Sequence, residues 1–238
     1  MSSTSHGHAA ARPRVAVIIP VLNESEVIGR VLDEVPRALV DRVLVVDSGS
    51  TDDTAAVARA HGAEVVPAPR GYGAACWAGF EAAADCDLLV YLDGDYSDPP
   101  AELERLLEPL RSGRADLVLG CRVYAPGTHP LHARLGNQLV LAIIHLLVGQ
   151  RFADLPSYKA IRRDRLAGLD MRERTYGWTT ELLVKAARQR LRIVELPVGY
   201  RERGGGRSKV SGTIRGTLGA GYKLVSTAVR YARAPGEG

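Results

Sequence analysis

Two carboxylates stand one residue apart in the run Tyr91-Leu92-Asp93-Gly94-Asp95, at the end of an apolar stretch typical of a buried strand. Carboxylate oxygens are the ligands that hard divalent cations prefer, and such a cation can bridge the two phosphates of a nucleotide. A polar turn with two aspartates would show the same residues without binding anything. The pair therefore indicates either a site for Mg²⁺ or Mn²⁺ at Asp93 and Asp95 or an ordinary turn.

The segments around this pair alternate between strand and helix patterns. Apolar runs predict buried strands at residues 14–20, 42–46, 64–66, 88–92 and 116–119. Helical spacing and turn residues predict helices at residues 24–35, 51–61, 74–84 and 101–111. This order predicts an α/β fold with a mostly parallel, twisted sheet and helices on both faces. Ligands bind beyond the carboxyl ends of such strands, so residues 23–24, 47–50 and 93–98 should meet at one edge.

The second half of the chain has longer helices. Helical patterns cover residues 132–148, 179–190 and 213–233, and strands are expected at the end of residues 154–161 and at 192–198. The last of these helices is basic and amphipathic, and it forms a C-terminal extension. Gly204-Gly205-Gly206 predicts a flexible loop between the last strand and this helix.

Bulk properties narrow the class of protein. The chain has 238 residues, of which 46% are hydrophobic and 24% charged, as expected for one globular domain with a small extension. Aromatic residues make up 5%, which argues against a nucleic-acid-binding surface. The net charge is +4, and the basic residues crowd residues 201–233, which indicates a local anionic partner. The three cysteines, Cys76, Cys86 and Cys121, form no CxxC pair, which is typical of reduced thiols in a cytoplasmic protein.

Four segments carry a family resemblance, each at a predicted strand-to-helix junction. In chain order they read IIPVLNESEVIGRVL, VVDSGSTDDTAAVA, GYGAACWAGF and YLDGDYSDPPAEL. Together they resemble the inverting glycosyltransferase family 2 of the GT-A fold, which contains dolichyl-phosphate mannose synthases and bacterial polyprenyl-phosphate glycosyltransferases. The resemblance covers about residues 15–223.

The resemblance implies a donor site for a nucleotide-sugar in the first half. It places Pro20, Asn23 and Glu24 beside the nucleotide and Asp47 on the base or ribose, and Asp93, Gly94 and Asp95 around the metal-bound diphosphate. The backbone at Gly71 and Gly73 is expected to approach the base closely. Asp47 has a competing interpretation as a helix N-cap, and for Asp52 the N-cap interpretation is favoured.

The resemblance also implies a phosphate-bearing acceptor in the second half. It assigns acceptor-phosphate binding to five residues: Arg122, Arg134, Arg201, Ser208 and Lys209. The expected catalytic set is Asp95, Arg122, Arg201, Lys209 and Glu181, where Glu181 orients the acceptor or acts as a base, or is simply a helix-start carboxylate. Guanidinium and ammonium donors suit phosphate oxygens, and the glycines would let their loop move.

These roles divide the chain into expected regions. Residues 1–13 are expected to be a disordered tail without a secretory signal, and residues 14–212 the glycosyltransferase domain, with a nucleotide-sugar half to 122 and an acceptor half from 123. Residues 213–238 form the basic helix and tail. The expected reaction moves a hexose from a GDP- or UDP-sugar to a polyprenyl or dolichyl phosphate at the cytoplasmic membrane face.

Two departures from the family pattern allow more than one kind of acceptor. Ser97 and Asp98 follow the acidic pair where many relatives have a glutamine that assists the metal, and residues 154–159 replace a Gly-Pro-Phe-Arg sequence. One alternative is the same chemistry on a soluble acceptor, such as a natural product or a sugar phosphate. An alternative of another class is a nucleotide-sugar-binding protein without activity.

The sequence predicts no membrane-spanning helix, because the most apolar run, residues 139–148, is too short. That run and the basic helix 213–233 suit the membrane interface, but they suit packing against the sheet or a homodimer surface equally well. His132 and His145 have no metal-ligand spacing.

Overall fold

Strands in the described part of the chain pair into one sheet. The computed structural model describes residues 12–124, 131–201, 204 and 214–233, except for the side chains of 131–135, 214–222 and 233. The strands are β1 (Val15–Val21), β2 (Arg42–Asp47), β3 (Glu64–Pro67), β4 (Leu88–Tyr91), β5 (Leu117–Val123), β6 (Lys159–Arg162) and β7 (Ile193–Gly199). The helices are α1 (Ile28–Glu34), α2 (Thr54–Ala60), α3 (Tyr72–Ala82), α4 (Leu103–Arg111), α5 (Leu131–Val148), α6 (Arg163–Gly168), α7 (Trp178–Arg188) and α8 (Ile214–Arg233).

The strand order is β3-β2-β1-β4-β6-β5-β7. Neighbours pair in parallel except at β6, which is antiparallel to both β4 and β5. The carboxyl ends of the other strands therefore lie at one edge of the sheet, and β6 begins at that edge. The α/β fold with a mostly parallel sheet is confirmed. The reversed strand inside it was not predicted, because an apolar strand pattern does not indicate direction.

Helices cover both faces of the sheet, as predicted. On one face, Val17, Ile19 and Leu32 belong to a core that includes α1, α2 and α4. On the other face, Ile18, Tyr91 and Trp178 belong to a core that includes α3, α5, α7 and α8. Alternate residues of β1 thus enter opposite cores, as expected for a strand buried on both sides.

Helix α3 lies unusually close to the sheet. A Cβ added at Gly79 would lie 2.3 Å from Cγ2 of Ile18, so glycine at this position lets the helix approach β1. Trp178 at the start of α7 is fully buried and contacts Tyr91 of β4, with ring centroids 5.1 Å apart. These contacts hold α3 and α7 against the half of the sheet that ends in the acidic pair.

The predicted boundaries are mostly close to the observed ones, but β5 runs to Val123 although its predicted end is residue 119, and three further differences stand out. The first predicted helix begins at residue 24, but α1 begins at Ile28, because residues 22–27 form a loop that turns beyond β1. Helix α6 was not predicted. Arg12, assigned to a disordered tail, donates to Asp41 at 3.0 Å, whereas residues 1–11 lie outside the described chain.

Asp116 links the starts of two neighbouring strands, β5 and β7. Its carboxylate accepts from the backbone N–H of Arg192 at 3.0 Å and from the Arg192 guanidinium at 2.9 and 2.8 Å. Its side chain is 6% exposed. These hydrogen bonds from Arg192 lower the pKa of Asp116 to about 2.

Asp116→Asn should lower the free energy of unfolding by about 2 kcal/mol at neutral pH, because it weakens a charge-assisted, buried interaction. The folded pKa of Asp116 is about 2 against an ordinary 3.8, so its contribution is complete above the ordinary value and is lost as the pH falls through about 2. Urea unfolding of both proteins between neutral and acid pH measures the difference. Glu108→Gln, in an exposed pair with Arg114, is the control and should change stability little. A difference that persists undiminished at the lowest pH would contradict the ionic explanation.

Candidate active site

The loop after β4, residues 93–98, carries three aspartates at the common edge of the sheet; we call it the acid loop. The backbone N–H of Asp93 donates to Oδ2 of Asp98 at 3.0 Å, and the N–H of Ser97 donates to Oδ1 of Asp95 at 3.0 Å. Tyr96 has a φ of 72°, so the chain makes a tight turn between the two hydrogen bonds. The acid loop is therefore fixed by its own carboxylates.

Close packing also shapes this loop. A Cβ added at Gly94 would lie 2.6 Å from Cγ1 of Val21, at the end of β1. Only glycine lets the acid loop lie directly on the neighbouring strand end. This gives Gly94 a steric role beside the position predicted for the diphosphate.

The carboxylates in this loop are electrostatically crowded. Burial raises the pKa of Asp93 to about 7, and the charges of Asp98 and Asp95 contribute to the rise. Burial also raises the pKa of Asp98. Oδ1 of Asp98 is buried and makes no hydrogen bond within the described part of the chain. Such a group of oxygens favours a cation.

These residues can hold a divalent cation if a bound diphosphate supplies further oxygen ligands. The described residues contain no ready-made cluster of three or more His, Cys, Asp or Glu side chains that could hold a metal. Magnesium-like ions, however, are commonly held by one or two carboxylates together with phosphate oxygens of a substrate. Asp93 and Asp95 would therefore hold the ion together with a bound diphosphate.

The loop after β1 is joined to the loop after β2. The N–H of Thr51 donates to Oδ1 of Asn23 at 2.8 Å, and the N–H of Asn23 donates to Oγ of Ser50 at 2.9 Å. Asn23 has a φ of 55°, a conformation that asparagine tolerates better than most residues. The N–H of Glu24 donates to Oγ1 of Thr54 at 2.8 Å. Pro20 lies at the carboxyl end of β1, directly before this loop. The residues expected beside the nucleotide therefore lie at the same edge of the sheet as the acid loop.

Asp47 ends β2 and closes a turn. Its Oδ1 accepts from the N–H of Ser50 at 2.9 Å and from the hydroxyl of Ser50 at 2.6 Å. Asp53 occupies the N-cap position of α2, so Asp47 is not that N-cap, and the N-cap interpretation favoured for Asp52 is wrong by one residue. Asp52 accepts from the N–H of Thr54 at 3.1 Å and from that of Ser25 at 3.2 Å, so it ties α2 to the loop after β1.

The side of Gly71 and Gly73 on which a side chain would stand is filled by protein, whereas the expected approach of their backbone to a base stays a prediction. A Cβ at Gly71 would lie 2.3 Å from the carbonyl oxygen of Arg174, and one at Gly73 would lie 2.4 Å from that of Glu173. The N–H of Gly73 donates to the carbonyl of Thr175 at 3.1 Å. The two glycines allow the loop of residues 172–175 to pack on the start of α3.

Glu181 holds that same loop from the other side. Its carboxylate is fully buried and accepts from the N–H of Arg172 at 2.9 Å and from that of Glu173 at 2.7 Å. Lys185 pairs with it at 2.7 Å. These contacts assign Glu181 a structural role, so we do not retain the catalytic role predicted for it.

Arg122, at the end of β5, is held rigidly near the acid loop. Its guanidinium donates to both oxygens of Asp154 at 2.7 Å. The guanidinium carbon also lies 5.6 Å from the ring centroids of both Tyr124 and Tyr200. Burial opposes its charge, but the Asp154 carboxylate raises the pKa of Arg122 above its ordinary value. A fixed, charged guanidinium of this kind can bind a phosphate.

Arg201 is directed elsewhere than predicted. Its guanidinium donates to Glu34 of α1 at 2.7 Å and lies 4.6 Å from the ring centroid of Tyr96. In this structure it therefore braces the acid loop against α1. The side chain of Arg134, and Ser208 and Lys209 entirely, lie outside the described residues.

Four side chains of this site were not among the predicted ones. Asp154 orients Arg122, Ser157 donates to Asp98 at 2.9 Å, Tyr200 lies beside Arg122, and Lys159 is buried at the start of β6. The sequence marked residues 154–159 only as a departure from the family pattern, and it assigned no role to Tyr200. Their tertiary neighbours show what the individual side chains contact.

Comparison with known proteins finds similar sequences over most of the chain. The family model described as Glycosyl transferase family 2 matches residues 16–164. An uncharacterized glycosyltransferase from Mycobacterium tuberculosis is 42% identical over 86% of this chain and 93% of its own length. The undecaprenyl-phosphate mannosyltransferase of Micrococcus luteus is 34% identical over 85% of this chain and 90% of its own length.

A solved structure is also similar. Glucosyl-3-phosphoglycerate synthase from Mycobacterium tuberculosis, in complex with Mn²⁺, UDP-glucose and phosphoglyceric acid, has a TM-score of 0.75 and 28% sequence identity. The alignment covers 95% of this chain and 82% of that one.

Glu181→Gln should lower the free energy of unfolding by about 3 kcal/mol, because it leaves Lys185 without its buried partner. The turnover number of the folded protein should stay within about twofold of the parent, since a structural carboxylate acts only through the fold. Urea unfolding and steady-state assays at saturating substrate measure the two quantities. Adding Lys185→Met to the variant should restore part of the lost stability. A large fall in turnover at unchanged stability would instead return Glu181 to the catalytic set.

Proposed function

We propose that this protein transfers a hexose from a nucleotide-sugar to polyprenyl phosphate. The premise is that the chain belongs to glycosyl transferase family 2. One observation carries the proposal: the acid loop and the rigidly held guanidinium of Arg122 lie at the same sheet edge. The acid loop suits a metal-bound diphosphate, and the guanidinium of Arg122 suits a phosphate. A site for two phosphorylated ligands fits this reaction.

The donor would lie along the ends of β1, β2 and β4. Pro20, Asn23 and Glu24 would border the nucleotide. One carboxylate oxygen of Asp47 accepts from Ser50, and the other makes no hydrogen bond within the described chain. This second oxygen would accept a hydrogen bond from the base or the ribose of the nucleotide. The backbone of Gly71 and Gly73 would contribute indirectly, through the loop that it supports. A GDP- or UDP-sugar fits this arrangement.

Transfer would be one displacement at the anomeric carbon. An oxygen of the acceptor phosphate forms the new bond while the bond to the nucleoside diphosphate breaks, so the configuration inverts. A phosphate is already ionised and needs little help from a general base. Asp93 and Asp95 would hold Mg²⁺ or Mn²⁺, which would neutralise charge on the departing diphosphate. Arg122 would orient the acceptor phosphate, and we retain Arg134, Ser208 and Lys209 as proposed phosphate ligands beside it.

The acceptor proposal draws support from α5. Leu139 is 61% exposed and Leu146 is 84% exposed, on a helix whose Asn137 donates to Asp154 beside Arg122. A lipid acceptor would place this exposed apolar face against the cytoplasmic leaflet, with the enzyme a peripheral membrane protein. No helix in the described residues has the length and apolar character needed to cross a membrane. The same face would also suit a homodimer.

A small phosphorylated acceptor is the second candidate. The similar solved structure binds phosphoglyceric acid as well as UDP-glucose. Arg122 and Asp154 would serve a soluble phosphate as well as a lipid phosphate, so turnover assays with both kinds of acceptor distinguish them.

Asp95→Asn should abolish metal-dependent donor binding and reduce turnover by roughly 100-fold or more, because it removes a carboxylate ligand of the cation that would neutralise the departing diphosphate. Thermal shift with UDP-, GDP- and dTDP-sugars, each with and without Mn²⁺, measures the binding and identifies the donor. Asp53→Asn, an exposed carboxylate at the start of α2, is the matched control and should bind donor normally. Normal turnover in Asp95→Asn would exclude the metal role, and binding without any transfer would favour a protein without activity.

Leu146→Ser should reduce transfer to a long polyprenyl phosphate in anionic vesicles by roughly fivefold, because it removes apolar area from the interface. Transfer to a short, water-soluble prenyl phosphate should not change. Gln138→Ser, on the same helix, is the control. Equal activity of Leu146→Ser and the parent on vesicles would argue for the soluble acceptor or for a dimer surface.

A further inference from the structure

Glu34, the last residue of α1, contacts the acid loop from a helix that lies on one face of the sheet. Its Oε1 accepts a hydrogen bond from the hydroxyl of Tyr96, and its Oε2 accepts from the guanidinium of Arg201 at 2.7 Å. Tyr96 is 62 residues away along the chain and Arg201 is 167 residues away. One carboxylate therefore joins α1, the acid loop and the chain that follows β7.

These two hydrogen bonds favour the ionised form of Glu34. Burial alone would raise the pKa of Glu34, but the hydrogen bonds from Tyr96 and Arg201 outweigh burial and hold the pKa below its ordinary value. The positive charges of Arg201 and Arg30 act in the same direction. A carboxylate has two acceptor oxygens, so it can hold a hydroxyl and a guanidinium at the same time.

Two arginines hold the ring of Tyr96. The guanidinium carbon of Arg30, one turn before Glu34 on α1, lies 4.0 Å from the ring centroid, and that of Arg201 lies 4.6 Å from it. Both distances are within the range of a cation–π interaction. Tyr96 is also the residue of the acid loop with a positive φ, 72°, which persists in a bulky side chain only when the surrounding structure holds it. The contacts from α1 thus act at the least favourable point of the loop.

The backbone that follows β7 lies on the acid loop at the same place. The N–H of Arg201 donates to the carbonyl oxygen of Ser97 at 3.0 Å, and the N–H of Gly204 donates to that of Asp95 at 3.0 Å. A Cβ added at Gly204 would lie 3.2 Å from Cβ of Tyr96, so glycine allows this close approach. Asp95 and Ser97 flank Tyr96, and the backbone and side-chain contacts therefore hold the same three residues.

We propose that Glu34 is a positioning residue of the donor site: through Tyr96 and Arg201 it holds the acid loop in its binding arrangement before a nucleotide-sugar arrives. Without Glu34 the loop would populate other arrangements, and donor affinity would fall in proportion to the fraction of molecules that stay competent. Turnover at saturating donor would change little, because the bound donor selects the competent arrangement. The identity of the donor rests on the proposed function, whereas the positioning of the acid loop does not.

The first test measures amide hydrogen exchange by NMR and needs no ligand. In Glu34→Ala the N–H groups of Arg201 and Gly204 should exchange about tenfold faster than in the parent, because their hydrogen bonds to the acid loop open more often. Glu34→Gln can still accept from Tyr96 but lacks the charge, so it should cause a smaller acceleration. The matched control is Asp33→Ala, the neighbouring position on α1, where the side chain is 66% exposed. Its exchange rates should equal those of the parent.

The second test separates donor affinity from turnover, well below the unfolding temperature. The probe is whichever of UDP-glucose and GDP-mannose raises the melting temperature of the parent in the presence of Mn²⁺. Glu34→Ala should weaken its binding about tenfold, while turnover at saturation stays within about twofold of the parent. Tyr96→Phe should weaken binding about threefold in the parent and have no further effect in Glu34→Ala, because the hydroxyl acts through Glu34. Asp33→Ala should bind the probe as the parent does.

Faster exchange together with weaker, non-additive donor binding would support the proposal. Unchanged exchange would overturn it, and so would donor affinity equal to that of the parent, which is what a role limited to stability predicts. If Glu34→Ala does not fold, Glu34→Gln and Tyr96→Phe serve in both tests. If the parent binds neither nucleotide-sugar, the proposed function fails, and amide exchange alone decides whether Glu34 positions the acid loop.

Discussion

Parallel hydrogen bonding of β1 to β2 and to β4 is the constraint on which the site depends. Strands that run in one direction must end at one edge, so the polar loops that follow them come together whatever their order in the chain. The helices that return the chain to the opposite edge then pack on both faces and bury the apolar strands. The acid loop lies at the centre of this edge because β4 lies at the centre of the sheet.

The reversed strand β6 adds what parallel strands alone would not supply. Its direction brings the beginning of a strand, rather than its end, to the functional edge, and with it the turn at 156–157 and Lys159. Asp154, just before that turn, reaches Arg122 at the end of β5. The reversal therefore places an anchoring carboxylate and a buried lysine at the functional edge.

Several charged side chains around the site form separate ion pairs. Arg122 is paired with Asp154, Arg201 with Glu34, and Lys185 with Glu181, so three of the nearby cations are neutralised locally. The acid loop brings three carboxylates together, and burial with the charges of its neighbours raises the pKa of Asp93. Such an arrangement leaves the loop ready for a cation while the paired arginine stays fixed in position.

The sequence by itself determined the class of fold, the edge at which the polar loops meet and the family. Alternating apolar strands and helices encode those features locally, and Asp93 and Asp95 stand out by spacing alone. Tertiary structure decided which side chains serve the site. Glu181 and the glycines at 71 and 73 contact one loop from distant parts of the chain, and the burial of Lys159 depends on residues far from it in sequence. The reason is physical: a side chain's role depends on partners from distant strands, whose order and direction a single sequence pattern does not contain.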